Sequence, residues 1–225
     1  EGILNAFQPG YNTGLIKAAL FVDDYQLWGT SNGLFRFDPA TKQVELVMPN
    51  VSVLSLAGGT QQIVWVGTDM QGVWQLSPSR DSFRSYSAEN IPSFGNSAVR
   101  TFFEDPGRTL WVGTKGSGIF TLNPNVENSK AANVQHFNTT NGLLSNSVFT
   151  IVKGQENEYW IGTDGRGINY YDLKAKKIKT LAIPVNIIQK VNLTSVYSIL
   201  PADKSTLWVG TSGYGMYKLE IDRTT

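Results

Sequence analysis

The 225 residues carry 19 Lys and Arg against 18 Asp and Glu, a net charge of +1 with no basic run, which argues against the electrostatic footprint of a nucleic-acid binder. The absence of Cys excludes disulfides and thiol catalysis, removes the usual ligand of structural zinc, and leaves the compartment open. A 41% hydrophobic fraction with six Trp, nine Tyr and eleven Phe can fill a core, 22 Gly point to many turns, and no run approaches the roughly 20 apolar residues of a membrane helix.

In chain order, Ile3 to Phe7 reads as a lone strand, and Asn5-Ala6-Phe7-Gln8 is close to Gln135-His136-Phe137-Asn138 further on. The first hairpin follows as Leu27-Trp28-Gly29-Thr30 with Gly33-Leu34-Phe35. It returns as Val64-Trp65-Val66-Gly67-Thr68 with Gly72-Val73-Trp74, and as Leu110-Trp111-Val112-Gly113-Thr114 with Gly118-Ile119-Phe120. Two more copies are Tyr159-Trp160-Ile161-Gly162-Thr163 with Gly167-Ile168-Asn169 and Leu207-Trp208-Val209-Gly210-Thr211 with Gly215-Met216-Tyr217. The glycines of the Gly-Thr pairs stand at 29, 67, 113, 162 and 210, so the spacings are 38, 46, 49 and 48. A period of about 40 to 50 residues holding several short strands is that of propeller blades, none of which buries its faces without a neighbour.

Each copy supplies further strands. Upstream of the Trp strand stands Val, any residue, Ser or Thr, then a large apolar residue: Val53 to Leu56, Val99 to Phe102, Val148 to Ile151 and Val196 to Ile199. We name this strand a, the Trp strand b, the strand after the Gly turn c, and a more polar outer segment d (Val44 to Val47, Phe83 to Tyr86, Val134 to Phe137, Ile178 to Leu181). The fifth copy stops after c, so Ile3 to Phe7 is expected to complete it. The expected fold is one all-β domain over 1-225, a propeller of five four-stranded blades at about 14-47, 51-86, 97-137, 146-181 and 194-221 plus 3-7. The first copy leaves one choice open: either Trp28 keeps the Trp role beside a deletion, or Leu27 takes the core place and Trp28 the following one, because a one-residue slip swaps faces.

Asn141-Gly142-Leu143-Leu144-Ser145-Asn146-Ser147-Val148 leading into strand a, followed by Trp160-Ile161-Gly162-Thr163-Asp164-Gly165-Arg166-Gly167, resembles the two-component regulator propeller repeat. Blades two to five carry the resemblance well and blade one approximately. It implies the sensory region of a bacterial hybrid histidine kinase or diguanylate cyclase, extracytoplasmic (periplasmic), often answering to saccharides. Such sensors have seven-bladed propellers, so a segment of a seven-bladed propeller is the alternative fold.

The glycine pairs Gly116/Gly118, Gly165/Gly167 and Gly213/Gly215 look like parts of a phosphate loop, but a strand rather than a helix follows each, which favours turn geometry. Asp105-Pro106-Gly107-Arg108-Thr109-Leu110-Trp111 is similar to an Asp-box, a turn-stabilising device. His136 is the sole His and is expected at the surface of an outer strand, so no Ser-His-Asp arrangement and no metal site is nominated. Asp23-Asp24, Glu104-Asp105 and Glu156 with Glu158 are expected in the a-to-b turns, opposite the face where propellers bind ligands. The better-placed groups are Asp69, Lys115, Asp164, Arg166 and Tyr214 from the b-to-c turns, with Tyr11, Asn96, Asn146 and Asn192 from the d-to-a loops. Polar and aromatic groups on one rim suit a saccharide or small polar ligand. The sequence thus reads as a non-enzymatic propeller binding a ligand or partner, without cofactor or catalytic residue, in a homodimer or beside an adjoining signalling domain. It has no nucleic-acid partner and no membrane contact within the segment. The alternatives are a polysaccharide lyase or glycoside hydrolase, and a protein-binding scaffold.

Overall fold

The computed structural model describes residues 12–77, 82–123, 134–165, 167–182 and 192–221. The strands form antiparallel meanders of the propeller-blade type, and among the described residues there is no α-helix and no helix long and apolar enough to cross a membrane. The fold is an all-β propeller. The chain divides into two compact units, Glu1–Val99 and Arg100–Thr225.

The first unit holds two four-stranded sheets: β1 (Ile16–Val22), β2 (Tyr25–Thr30), β3 (Gly33–Asp38) and β4 (Gln43–Pro49), then β5 (Val53–Gly58), β6 (Val64–Thr68), β7 (Val73–Ser77) and β8 (Ser82–Tyr86). A third sheet is built from β9 (Ala98–Glu104), whose first two residues end this unit, with β10 (Leu110–Lys115), β11 (Ile119–Leu122) and β12 (Gln135–Phe137). The second unit goes on with β13 (Val148–Lys153), β14 (Glu158–Thr163), β15 (Ile168–Asp172) and β16 (Lys177–Thr180), and with the three-stranded sheet β17 (Val196–Pro201), β18 (Thr206–Thr211) and β19 (Met216–Glu220). The expected a, b, c, d order holds in the four-stranded sheets. Ile3 to Phe7, the expected fourth strand of the last sheet, lies outside the described residues.

Cores form between successive sheets rather than within one. In the first unit Leu27 and Leu34 of one sheet meet Val53, Val64 and Val66 of the next. In the second, Trp111 packs edge-on against Tyr159 at 5.4 Å and Tyr171 at 4.8 Å, while Trp160 shares a cluster with Val196, Leu207 and Val209. The Gly of three Gly-Thr pairs, at 29, 113 and 162, makes this approach feasible. A Cβ added at Gly29 would lie 2.5 Å from Val53 Cγ1, one at Gly113 would lie 2.9 Å from Val148 Cγ1, and one at Gly162 would lie 2.7 Å from the Val196 carbonyl. In each case the obstacle includes the first Val of the next strand a. The sequence shares this Val-and-Gly pairing among its copies because the seam between blades is the repeated object.

Strand a also carries a repeated irregularity. Its register against strand b shifts between Ile16 and Ala18, Val53 and Ser55, Val148 and Thr150, and Val196 and Ser198. This is a β-bulge that leaves Lys17, Leu54, Phe149 and Tyr197 as the extra residues, re-aimed by the local twist. The open choice in the first copy is settled by pairing: Trp28 lies opposite Phe35 as Val66 lies opposite Trp74, and Gly29 opposite Leu34 as Gly67 lies opposite Val73. Leu27 therefore fills the core place and is 0% exposed, and Trp28 takes the next one.

Two outcomes follow from this packing. Gly162→Ala drives a methyl into a backbone carbonyl and is expected to cost about 1–3 kcal/mol in urea unfolding, whereas Gly58→Ala, whose Cβ meets nothing within 4 Å, stays within about 0.5 kcal/mol. Burial, with the Asp105 charge second, pushes the Tyr159 hydroxyl up to about 12 and raises that of Tyr171. Unfolded tyrosines ionise near about pH 10 while these stay protonated in the fold, so their contribution is complete below about pH 10 and is lost as the pH climbs towards the folded value. Urea midpoints at pH 9 and pH 11.5 should fall for the native chain, and fall less for Tyr159→Phe.

Candidate functional site

The b-to-c turns are built by the threonine that ends strand b. Thr30, Thr68, Thr114, Thr163 and Thr211 each donate Oγ1–H to the carbonyl of Gly33, Gly72, Gly118, Gly167 or Gly215 at 2.8–3.0 Å. The turn then needs a left-handed residue, supplied for example by Gly118 at φ 82°. A Cβ there would run into the Phe137 carbonyl. In the Gly116-Ser117-Gly118 turn the amides of Gly116 and Gly118 both donate to the Asn146 carbonyl, at 3.0 and 2.8 Å. With those amides committed to the next blade and β11 following the turn, the phosphate-loop alternative falls away.

The expected rim residues separate into seam groups and exposed ones. Lys115 is exposed and sits in an antiparallel bridge with Ser147, next to Asn146 at the opening of the following blade. Asn146 Oδ1 accepts from the Thr139 amide at 2.9 Å. Asp164 bridges to Ser195 in the same manner, and its Oδ1 accepts the Ser195 hydroxyl at 2.6 Å. Asn192, three residues earlier, closes a turn by accepting from the Thr194 amide at 3.1 Å and hydroxyl at 2.6 Å. The structure thus brings Lys115 to Asn146 and places Asp164 beside the loop of Asn192. Asp69 and Asn96 are exposed in the first unit, and Tyr214 is 57% exposed in the last turn. Tyr11 and Arg166 lie outside the described residues.

Two of the acidic turn residues, Asp105 and Glu156, have structural partners. Asp105 accepts from the Thr109 amide at 2.9 Å and from the Trp111 indole N–H at 3.2 Å, which ties the β9–β10 turn to the core Trp. Glu156 pairs with Lys204 at 2.7 Å. Glu158, expected in a turn, is instead the first residue of β14 and 4% exposed, because the turn ends earlier than the acidic pattern suggests. His136 is on the outer strand β12 as expected but is half-buried rather than a plain surface residue. Its ring stacks on Phe120 at 4.2 Å, and Nε2–H donates to the Ser117 carbonyl at 2.6 Å. Among the described residues no three His, Asp or Glu gather so as to hold a metal ion.

One group was passed over in the sequence as the variable second place of the strand a pattern. Arg100, Phe149 and Tyr197 occupy that place in three successive blades and form a row: the Arg100 guanidinium lies over the Phe149 ring at 5.6 Å, and Phe149 meets Tyr197 edge-on at 4.2 Å. Tyr197 is 48% exposed and Arg100 is exposed. The available indication was that Arg, Phe and Tyr are poor fillers for a place that demands nothing of the blade.

No family model matches the chain, and no curated protein matches it. Solved structures do. The chain is similar to the extracellular domain assigned to the hybrid two component system BT3049 of B. thetaiotaomicron, with 20% identity and TM-score 0.71 over 95% of this chain and 29% of that one. It is similar to the extracellular domain assigned to the one component system BT4673 of the same organism, with 19% identity and TM-score 0.72 over 96% and 30%. It is also similar to a catalytically inactive virginiamycin B lyase from Staphylococcus aureus with quinupristin, with 13% identity and TM-score 0.66 over 95% and 72%. The chain spans less than a third of the length of the two sensor domains. These likenesses agree with the two-component regulator propeller resemblance of the sequence.

The seam bonds separate the rim residues by experiment. Asp164→Ala leaves the Ser195 hydroxyl without its charged acceptor and should lower urea stability by about 1.5–3 kcal/mol, whereas Tyr214→Ala should remain within about 0.5 kcal/mol.

Proposed function

We propose that this chain is an extracytoplasmic sensor module that recognises a ligand or partner on its loop rim and carries out no chemistry itself. The observation that carries the reading is the coupling of rim to seam. Lys115 and Asp164 stand at the b-to-c turns of two successive blades, and each is bridged to the loop that opens the blade after its own. A ligand that engages these side chains acts on the packing of neighbouring blades, and an altered packing is something an adjoining signalling domain or second protomer can read. The likeness to extracellular domains of two component systems supports the same role. The ligand class in this reading is a saccharide or small polar molecule, and Asp69, Lys115, Asp164, Arg166, Tyr214, Tyr11, Asn96, Asn146 and Asn192 are its candidate contacts.

A second reading, an enzyme, draws on the likeness to the virginiamycin B lyase. The carboxylates with a stated place work against it, since Asp105 and Asp164 each accept structural hydrogen bonds and Glu156 is paired.

A panel of immobilised oligosaccharides separates the readings. The native chain should retain at least one of them unchanged after overnight incubation, and a combined Asp69→Ala, Lys115→Ala, Arg166→Ala variant with native unfolding should lose it. Retention by that variant would remove the rim from consideration, and turnover of a captured glycan would establish the enzyme reading.

A further inference from the structure

A seam between blades has two halves, and the chain exposes one of each. The rear half is the strand b glycine with the first residue of strand c opposite it: Gly29 with Leu34, Gly113 with Ile119, Gly162 with Ile168 and Gly210 with Met216. Leu34, Ile119 and Ile168 are buried and share clusters with Val53, Val148 and Val196 of the sheets that follow. Met216 holds the same place and is 67% exposed. A Cβ added at Gly210 would meet only Ser198 of its own sheet, where one at Gly29, Gly113 or Gly162 meets the valine of the next. Trp208 is half-buried, whereas Trp111 and Trp160 in the same place are buried.

The front half is the start of strand a. Ile16, Val53, Val148 and Val196 pair with Thr30, Thr68, Thr163 and Thr211, and three residues later stand Ala19, Leu56, Ile151 and Ile199. Val53, Val148, Val196, Ile151 and Ile199 are buried, but Ile16 is 44% exposed and Ala19 is exposed. The two open halves are complementary: a β-branched side chain on one, a strand without a Cβ and an apolar side chain on the other. Three seams within the chain already show this fit, and in the single chain both remaining halves face water, where apolar surface favours a partner. The geometry points to a head-to-tail interface between copies of this chain, in which Ile16 and Ala19 of one copy seat on Gly210 and Met216 of the next. Because the two surfaces differ, each added copy leaves one half open at either end of the assembly unless the ends meet in a ring. The contact needs no ligand and is independent of what the rim binds.

Sedimentation equilibrium over a range of concentrations tests it. The mean mass of the native chain should rise with concentration. Ile16→Glu and Met216→Glu should each weaken this association at least about tenfold, since either places a carboxylate in an apolar seam. Met70→Glu, at an exposed side chain of a b-to-c turn, should leave it unchanged. The Ile16→Glu chain keeps an intact rear half and the Met216→Glu chain an intact front half, so mixing them should give a complex of two chains that grows no further. The substituted side chains are exposed and open no core, and urea unfolding of each variant checks the fold. A native chain that stays monomeric throughout would overturn the interface, and lowered unfolding midpoints in Ile16→Glu and Met216→Glu would then show that the halves close within one chain. Association that survives either variant alone, or two variants that fail to pair on mixing, would also overturn it.

Discussion

The structure depends on one close approach, that of the first valine of a blade to the strand b glycine of the blade before it. A single sheet of this type has two faces to bury and no partner of its own, so stability must come from neighbours. Val53 over Gly29, Val148 over Gly113 and Val196 over Gly162 set how near the sheets come, and the large side chains fill the space that this distance defines. Trp111 reaches Tyr159 and Tyr171 of the following sheet only because no Cβ stands between the strands. The Thr next to the glycine then fixes the turn, so one dipeptide serves both the seam and the hairpin.

That economy explains why so much of the fold could be read from residues alone. The Trp strand, the Gly turn and the Val strand repeat as letters because each repeats as a contact, and the strands d were legible from their polar alternation at edges. The first copy was not decidable by letters, since Leu27 and Trp28 are both apolar and only the register opposite Phe35 separates them. Glu158 was misplaced for a similar reason: an acidic residue reads as a turn until the strand it opens is seen to bury it. His136 looked superficial because its partners, Phe120 and the Ser117 carbonyl, come from the neighbouring strand and its turn.

The candidate site was less legible than the fold. Sequence reasoning sought function where the copies differ and found the turns, but it treated the second place of strand a as filler. A β-bulge leaves no trace in composition, so nothing in Val-Phe-Thr-Ile marks the Phe as the residue released from the ladder. Rim residues had the opposite fate. Asp164 and Asn146 stand where expected, yet part of their hydrogen-bonding capacity already holds blades together. Recognition and cohesion share the same atoms there.

The recurrence of the seam has an evolutionary consequence. Because the junctions at Gly29, Gly113 and Gly162 join the same pair of surfaces, a glycine-bearing strand and a valine-bearing strand, one such blade can follow another without a new interface having to arise. Duplication or loss of one repeat would change the number of blades while every remaining junction stays chemically familiar. The bulged place, which lies outside the valine-on-glycine contact, would then be free to drift in each new copy, and a lineage could change that side chain without disturbing the contact that sets the blade spacing.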